Sequence, residues 1–264
     1  MKKLTVSSFR KMKEAGEKIV MITAYDAPSA AMATEAGVEM LLVGDSLGMA
    51  VLGYKNTLPV TMDDMVYHCK AVRRGAPDAF VVGDMTFMSY QISSEEALHH
   101  AARLMKEAGC NAVKLEGGAE YASLVARLVA CGIPVVAHAG LLPQKVEAMG
   151  GYRVQGKTEE AAKQLIADAH ALEDAGAFAL VLECIPAALA EKISGELVIP
   201  TIGIGAGIGC DGQVQVLHDI LGMSCYMPKH AKCYANVGTM IRGAMKEYVT
   251  EVKEGKFPAQ ENSF

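Results

Sequence analysis

One unit recurs four times along the chain: a helical stretch ending in Ala-Gly or Cys-Gly, two further residues, then a short apolar run. The copies are EAGVEMLLVGD (35–45), EAGCNAVKLEG (107–117), ACGIPVVAHAG (130–140) and DAGAFALVLEC (174–184). Gly37, Gly109, Gly132 and Gly176 fit the left-handed position just past a helix end, where a Cβ would clash. The runs that follow (MLLV, AVKL, VVA, ALVL) are mostly continuous rather than alternating, as in parallel strands covered on both faces. Repetition of a helix feeding a buried strand restricts the chain to the α/β class.

Further strands fit IVMIT (19–23), AFVVG (79–83) and PTIGI (200–204), with SCYM (224–227) as an eighth. Ser93 with Glu96 forms a capping box for the helix leading to Gly109, and Thr158 with Glu159 and Glu160 opens another with acids in its first turn. Eight strands alternating with helices predict a single-domain (β/α)8 TIM barrel. An open doubly wound sheet is the alternative, since periodicity does not reveal closure. The 264 residues suit one barrel, and no linker or composition shift divides them. Residues 1–264 therefore read as one barrel catalytic domain with a C-terminal helical extension.

Composition narrows the function. Hydrophobic residues make up 51% and charged residues 21%, and 25 Lys+Arg against 30 Asp+Glu leave a formal charge of −5. That balance argues against a nucleic-acid partner. No stretch approaches the roughly 18–20 apolar residues of a membrane span. Residues 1–18 lack the apolar core of a signal peptide, so cytoplasmic residence is expected. Seven cysteines (69, 110, 131, 184, 210, 225 and 233) contain no C-x-x-C pair and read as reduced thiols, mostly filling the core.

Barrel enzymes carry their chemistry where strands end. Here Asp45 follows MLLVG, Asp84 follows FVVG, Glu116 ends AVKL and Glu183 ends ALVL; His138 ends VVA, and Lys114 shares a strand face with Glu116. Any one acid alone could cap a helix. Four at equivalent strand ends repel one another unless a cation holds them, and an all-oxygen set suits Mg²⁺ or Mn²⁺.

Other motifs are discounted. Gly151–Thr158 satisfies the phosphate-loop pattern G-x-x-x-x-G-K-[ST], but loop-like sequence rather than a strand precedes it, so Lys157 is not expected to bind nucleotide. The G-x-G-x-x-G at 207–212 lacks a βαβ context and reads as backbone lining a substrate wall. His99 and His100 read as surface or packing residues, and the sixteen Met are scattered through the chain.

The runs VGDSLGM (43–49), NTLPVTMDDMVYH (56–68), VKLEGG (113–118), GGYRVQGK (150–157), VLECIP (181–186) and IPTIGIGAG (199–207) resemble the ketopantoate hydroxymethyltransferase family. The resemblance runs in order from about residue 4 to the C-terminus. It implies a cytoplasmic homo-oligomer, often a decamer, acting in the first step of pantothenate synthesis. The implied reaction moves a one-carbon unit from 5,10-methylenetetrahydrofolate to 3-methyl-2-oxobutanoate, giving 2-dehydropantoate. It places the metal site on Asp45 and Asp84, with Glu116 nearby acting through metal-bound water, and the proton acceptor on Glu183. Asp45, Ser46, Asp84 and Lys114 match substrate-contacting positions, and His138 lines the same pocket. Departures at Thr86, Ala137, Leu142, Lys145 and His230 touch loops, where they bear on folate contacts.

The chemistry is consistent with that resemblance. A 2-oxo acid chelates Mg²⁺ through its carboxylate and ketone oxygens, and the cation stabilises the enolate left when the C3 proton departs. Glu183, between ALVL and Cys-Ile-Pro, has an apolar setting that suits a carboxylate base. Lys114 pairs with negative charge. The rivals are another carboxylate-metal barrel lyase or mutase acting on 2-oxo acids, Schiff-base aldol chemistry on Lys114, nucleotide binding at Lys157, and a barrel kept only for binding.

Overall fold

The computed structural model describes residues 3–224 and 226–264. Its first compact unit runs to Val216 and its second is Leu217–Phe264. In the first, helices α1 (Val6–Glu14), α2 (Ala27–Glu35), α3 (Leu47–Ala50), α4 (Met62–Gly75), α5 (Ser94–Lys106), α6 (Ala122–Ala130), α7 (Glu159–Asp174) and α8 (Ala187–Glu196) accompany eight strands. The strands are β1 (Ile19–Thr23), β2 (Met40–Val43), β3 (Phe80–Asp84), β4 (Ala112–Glu116), β5 (Val135–Gly140), β6 (Ala179–Glu183), β7 (Thr201–Ile204) and β8 (Gly212–Gln215).

The repeat is built as its glycines predict. Gly37, Gly109, Gly132 and Gly176 have φ of +91°, +71°, +80° and +95°, and each turns the chain from a helix into a strand. Ser93 and Thr158 cap α5 and α7 by accepting from the N–H groups of Glu96 and Ala161. Every strand pairs in parallel with the next, and Ile19–Ile22 of β1 pair with Gly212–Gln215 of β8. The sheet is therefore a closed (β/α)8 barrel, not an open one.

The eighth strand departs from the sequence expectation. It is Gly212–Gln215, whereas Ser224, Tyr226 and Met227 lie outside any strand and Cys225 falls outside the described residues. GQVQ offers one buried apolar side chain, Val214, so it lacks the continuous apolar signal of the other strands. Bare backbone closes the barrel there: a Cβ on Gly212 would stand 2.3 Å from the Ile19 carbonyl oxygen. Residues 205–211 cross from β7 to β8 without a helix. The glycines along this segment meet protein rather than a substrate wall, since Cβ atoms at 207 and 209 would come within 2.5 Å of Ala187 and 2.6 Å of Glu191 on α8.

Helix α1 closes the N-terminal end of the barrel. Phe9 is fully buried with its ring edge-on to Phe80 at 4.8 Å and 6.2 Å from Phe178, continuous with a core that includes Met40, Val82, Val136 and Val181. Lys13 Nζ anchors the helix, 2.9 Å from Asp211 and donating to the carbonyls of Ser194 and Ile199. Of the described cysteines, all free, only Cys69, Cys110 and Cys210 are buried; Cys131 and Cys233 are exposed and Cys184 is half-buried, so core filling accounts for half of them. The second unit carries α9 (Leu217–Ile220) and α10 (Val237–Lys253), joined where Val237 N–H donates to Leu221 O. Among the described residues no helix is long and apolar enough to cross a membrane.

Candidate active site

Strand periodicity brings the charged groups together. Side chains two apart share a face, so the series Phe80, Val82, Asp84 on β3 continues the interior of the barrel towards its C-terminal mouth. The same parity gives Ala112, Lys114, Glu116 on β4, Val136, His138 on β5, and Ala179, Val181, Glu183 on β6. Asp45 joins them from the turn after β2. Asp45, Asp84, Lys114, Glu116 and His138 are all buried. Glu183 is different, with its side chain 14% exposed and facing His138. The wholly apolar setting expected of it is therefore not what the fold supplies, because β5 presents an imidazole there.

Lys114 Nζ sits 2.8 Å from Asp84 Oδ1, 3.9 Å from Glu116 Oε1 and 3.4 Å from His138 Nδ1. The Asp45 main-chain N–H donates to Asp84 Oδ2 at 3.3 Å. His138 Nε2 lies 3.3 Å from Glu183 Oε2, and His138 Nδ1 lies 3.7 Å from Glu116 Oε1. Ser46 Oγ is 2.8 Å from Tyr25 Oη.

The electrostatics follow from one cation among four carboxylates. Burial and then repulsion from Asp84 push the Asp45 carboxyl up to about 7, against the pull of Lys114 and Gln144. Burial likewise raises Glu116, with Asp45 and Asp84 adding to it and Lys114 opposing. Burial works against charge on Lys114, but Asp84, Glu116 and Asp45 overcome it and hold the ammonium protonated above its ordinary range. Burial, then Lys114, lowers His138, so its ring is neutral at pH 7. A Schiff-base nucleophile needs a free amine, and this environment opposes one.

Among the described residues no three His, Cys, Asp or Glu side chains converge closely enough to hold a metal ion by themselves. Mg²⁺ does not require such a cage, because it keeps several waters and takes one or two carboxylates together with substrate oxygens. Asp45 and Asp84 fit that demand. They are adjacent and all-oxygen, and burial, then Asp84, raises the Asp45 carboxyl. Glu116 is set aside from them, its Oε2 accepting from Gln144 N–H at 3.0 Å.

Several residues of the site carry no sequence signal. Gln144, on the turn Pro143–Lys145, donates to Asp45 Oδ2, and Tyr90 donates to Gln144 Oε1 at 2.8 Å. Tyr25 supports Ser46 from the end of β1. All three are buried and none belongs to a charged motif or a helix face. Tyr152 lies in the phosphate-loop look-alike, which follows a turn instead of a strand while Lys157 is exposed. Burial, then Glu183, Asp45 and Glu116, raise the Tyr152 phenol. That segment lacks the strand from which a phosphate-binding loop departs. His99 and His100 stay on α5, away from these groups. A separate cavity of about 220 Å³ beside α7 is lined by Gly118, Gly140, Gln155, Leu165 and Asp168, and none of the clustered acids lines it.

Comparison with known proteins assigns the family. The sequence model for ketopantoate hydroxymethyltransferase matches residues 3–260. The 3-methyl-2-oxobutanoate hydroxymethyltransferase of Carboxydothermus hydrogenoformans is 60% identical over 100% of this chain and 96% of its own length. That of Syntrophus aciditrophicus is 58% identical over 100% of this chain and 97% of its own. Solved structures share the fold at lower identity. A phosphoenolpyruvate phosphomutase from Streptomyces platensis matches with a TM-score of 0.63 at 15% identity, covering 96% of this chain and 88% of that one. A 2,3-dimethylmalate lyase matches at 0.61 and 20%, covering 98% and 92%. With the family's sequence pattern running nearly end to end over a barrel whose acids converge at the strand ends, the chain belongs to the ketopantoate hydroxymethyltransferase family of transferases.

Proposed function

We propose that this enzyme transfers a hydroxymethyl group from 5,10-methylenetetrahydrofolate to 3-methyl-2-oxobutanoate, giving 2-dehydropantoate in the first step of pantothenate synthesis, with Glu183 as the base. One observation carries the assignment of the base. Asp84 is held by Lys114, Asp45 by the Gln144 side chain and Glu116 by the Gln144 main chain, whereas Glu183 is engaged by neither residue and its side chain is partly exposed. The acceptor is named in the relatives' own activity. The C3–H bond of the oxo acid breaks, a C–C bond forms to the donor's methylene carbon, and water supplies the hydroxyl oxygen as tetrahydrofolate leaves.

Lys114 Nζ has only hydrogens to offer, so His138 Nδ1 accepts in that contact and the ring proton sits on Nε2, towards Glu183. His138 thereby turns its ring proton to the side of the Glu183 carboxylate, 3.3 Å from Oε2. Lys114, kept protonated, supplies fixed positive charge where the oxo acid becomes negative as that proton leaves. Ser46, held by Tyr25, is placed to bind the substrate beside Asp45.

Asp45 and Asp84 would hold Mg²⁺ or Mn²⁺, with Glu116 behind them acting through water. Such an ion acts as a Lewis acid on the carboxylate and ketone oxygens of a 2-oxo acid. We place the enzyme in the cytoplasm as a homo-oligomer, a decamer by family resemblance. The exposure of Met240, Met245 and Tyr248 on α10 of a single chain supports assembly.

The test isolates proton removal from one-carbon transfer. Hydrogen–deuterium exchange at C3 of 3-methyl-2-oxobutanoate is followed by NMR in D₂O with Mg²⁺ and no folate donor. Wild type exchanges, and Glu183→Gln slows exchange by about 10² to 10⁴-fold, the usual contribution of a positioned base. Unchanged exchange in the variant would transfer the role to another group, His138 first. Consumption of the oxo acid that requires the folate donor tests the overall reaction.

A further inference from the structure

Gln144 carries no charge, yet its main chain and side chain reach two of the site's four acids. Its Nε2 donates to Asp45 Oδ2 at 2.9 Å and to the Met85 carbonyl at 2.8 Å, using both amide hydrogens. Its main-chain N–H donates to Glu116 Oε2 at 3.0 Å. Its Oε1 accepts from Tyr90 Oη at 2.8 Å, with Gln91 Nε2 more distant at 3.5 Å. The residue is 3% exposed, so water does not substitute for these partners.

The directions of these bonds follow from groups that can only donate or only accept. The main-chain N–H of Glu116 can only donate, and it donates to Tyr90 Oη at 3.2 Å. The tyrosine therefore accepts there and has one hydrogen to give, shared between Gln144 Oε1 and the Glu116 carbonyl at 3.0 Å. That hydrogen supports the Gln144 carbonyl on the side away from Asp45. A flipped amide would set its oxygen against the Asp45 carboxylate and the Met85 carbonyl, acceptor against acceptor. The Met85 carbonyl can only accept, so it fixes the Nε2 side of the amide, and with it the N–H that meets Asp45, while Oε1 is left for the Tyr90 hydroxyl.

We propose that Gln144 is a positioning residue that orients the Asp45 carboxylate for a divalent cation, with its own amide direction fixed by the Met85 carbonyl and supported by Tyr90. This rests on the reading of Asp45 and Asp84 as the cation-holding pair. It adds that a neutral residue from the β5–α7 connection decides how well they do so. Partners of this kind, one step out from a metal ligand, typically contribute about 10 to 100-fold to metal affinity or activity.

The experiment is a Mn²⁺ titration followed by electron paramagnetic resonance, with no substrate turning over. The protein is wild type, Gln144→Met or Tyr90→Phe, each checked for a cooperative thermal transition. Methionine keeps the length and the main-chain donor to Glu116 and removes both side-chain donors. The Mn²⁺ dissociation constant should rise about 10 to 100-fold in Gln144→Met and by less, in the same direction, in Tyr90→Phe, where only the support of the amide oxygen is lost. Wild-type affinity in a folded Gln144→Met protein overturns the inference. Where that variant does not fold, wild-type affinity in Tyr90→Phe overturns it instead. Failure of wild type itself to bind Mn²⁺ removes the cation pair and this inference with it, a result distinct from either.

Discussion

The two ends of the barrel interior are built by the same strands and do opposite things. At the N-terminal end the inward positions are Met40, Phe80, Ala112, Val136 and Ala179, sealed by Phe9 of α1. At the C-terminal end, on the same strand faces, they are Asp84, Lys114, Glu116, His138 and Glu183. The lower layer removes apolar surface from water and stabilises the fold. The upper layer buries three carboxylates with one lysine and half-buries a fourth, an arrangement that opposes folding unless a cation or substrate supplies charge. Stability and chemistry are thus separated by a few residues along each strand, and the sharp boundary lets each end be perturbed without the other.

The largest expected effect at the lower end comes from Phe9→Ala. Removing a fully buried phenylalanine from the seal should cost about 3–5 kcal/mol, read by urea unfolding, while turnover per folded molecule stays at the wild-type level. A comparable loss of turnover in the folded fraction would show that the ends are coupled. Glu183→Gln is the counterpart at the upper end, with exchange lost and unfolding nearly unchanged.

Asp45→Asn should act in the reverse sense on stability. It removes a carboxylate that burial and Asp84 both disfavour, so the metal-free protein should gain about 0.5–2 kcal/mol at pH 7 and lose activity. The pH dependence follows. With its folded value raised to about 7 from an ordinary 3.8, Asp45 is protonated in the native state where the unfolded chain has already released the proton. Stability from this group is therefore complete below about pH 4 and falls as pH rises through about 7. Burial is the main cause of the rise, Asp84 and Glu183 add to it, and Lys114 and Gln144 oppose it. The thermal midpoint of metal-free wild type should decline across that window, and Asp45→Asn should flatten part of the decline, leaving the share of Glu116, which is shifted in the same direction. A midpoint that rises from pH 4 to 7, or an Asp45→Asn protein less stable than wild type at pH 7, would refute the claim that the acid end opposes folding.

The smallest effect is expected beside the mouth. Lys157→Ala should leave turnover and stability within error, and calorimetric titration of wild type with Mg-ATP should show no micromolar binding. Tight binding that disappears in the variant would give the C-terminal end a second chemistry.

How much of this was legible depends on where each signal resides. Seven strands announce themselves through helix-ending glycines or through continuous apolar runs. The acids, Lys114 and His138 are legible because they occupy equivalent strand ends. β8 is not, because its closure depends on the missing side chain of Gly212 beside β1, and a glycine followed by alternating glutamines has no strand signature. Gln144 and Tyr90 are not legible either. Their role comes from hydrogen bonds between residues 90, 116 and 144, and uncharged side chains in connections leave no periodic trace.

The order of helices and strands, the family, and the set of charged residues at the strand ends were determined by the amino-acid sequence alone, because each is written in local periodicity, a glycine position or a contiguous motif. Closure of the sheet, the crossing from β7 to β8, the separation of Glu183 from the three held carboxylates and the direction of the Tyr90–Gln144–Asp45 chain were decided only in the tertiary structure. These depend on distances between residues far apart in the chain, and such distances exist only once the strands are in register and the cluster has been shut away from water.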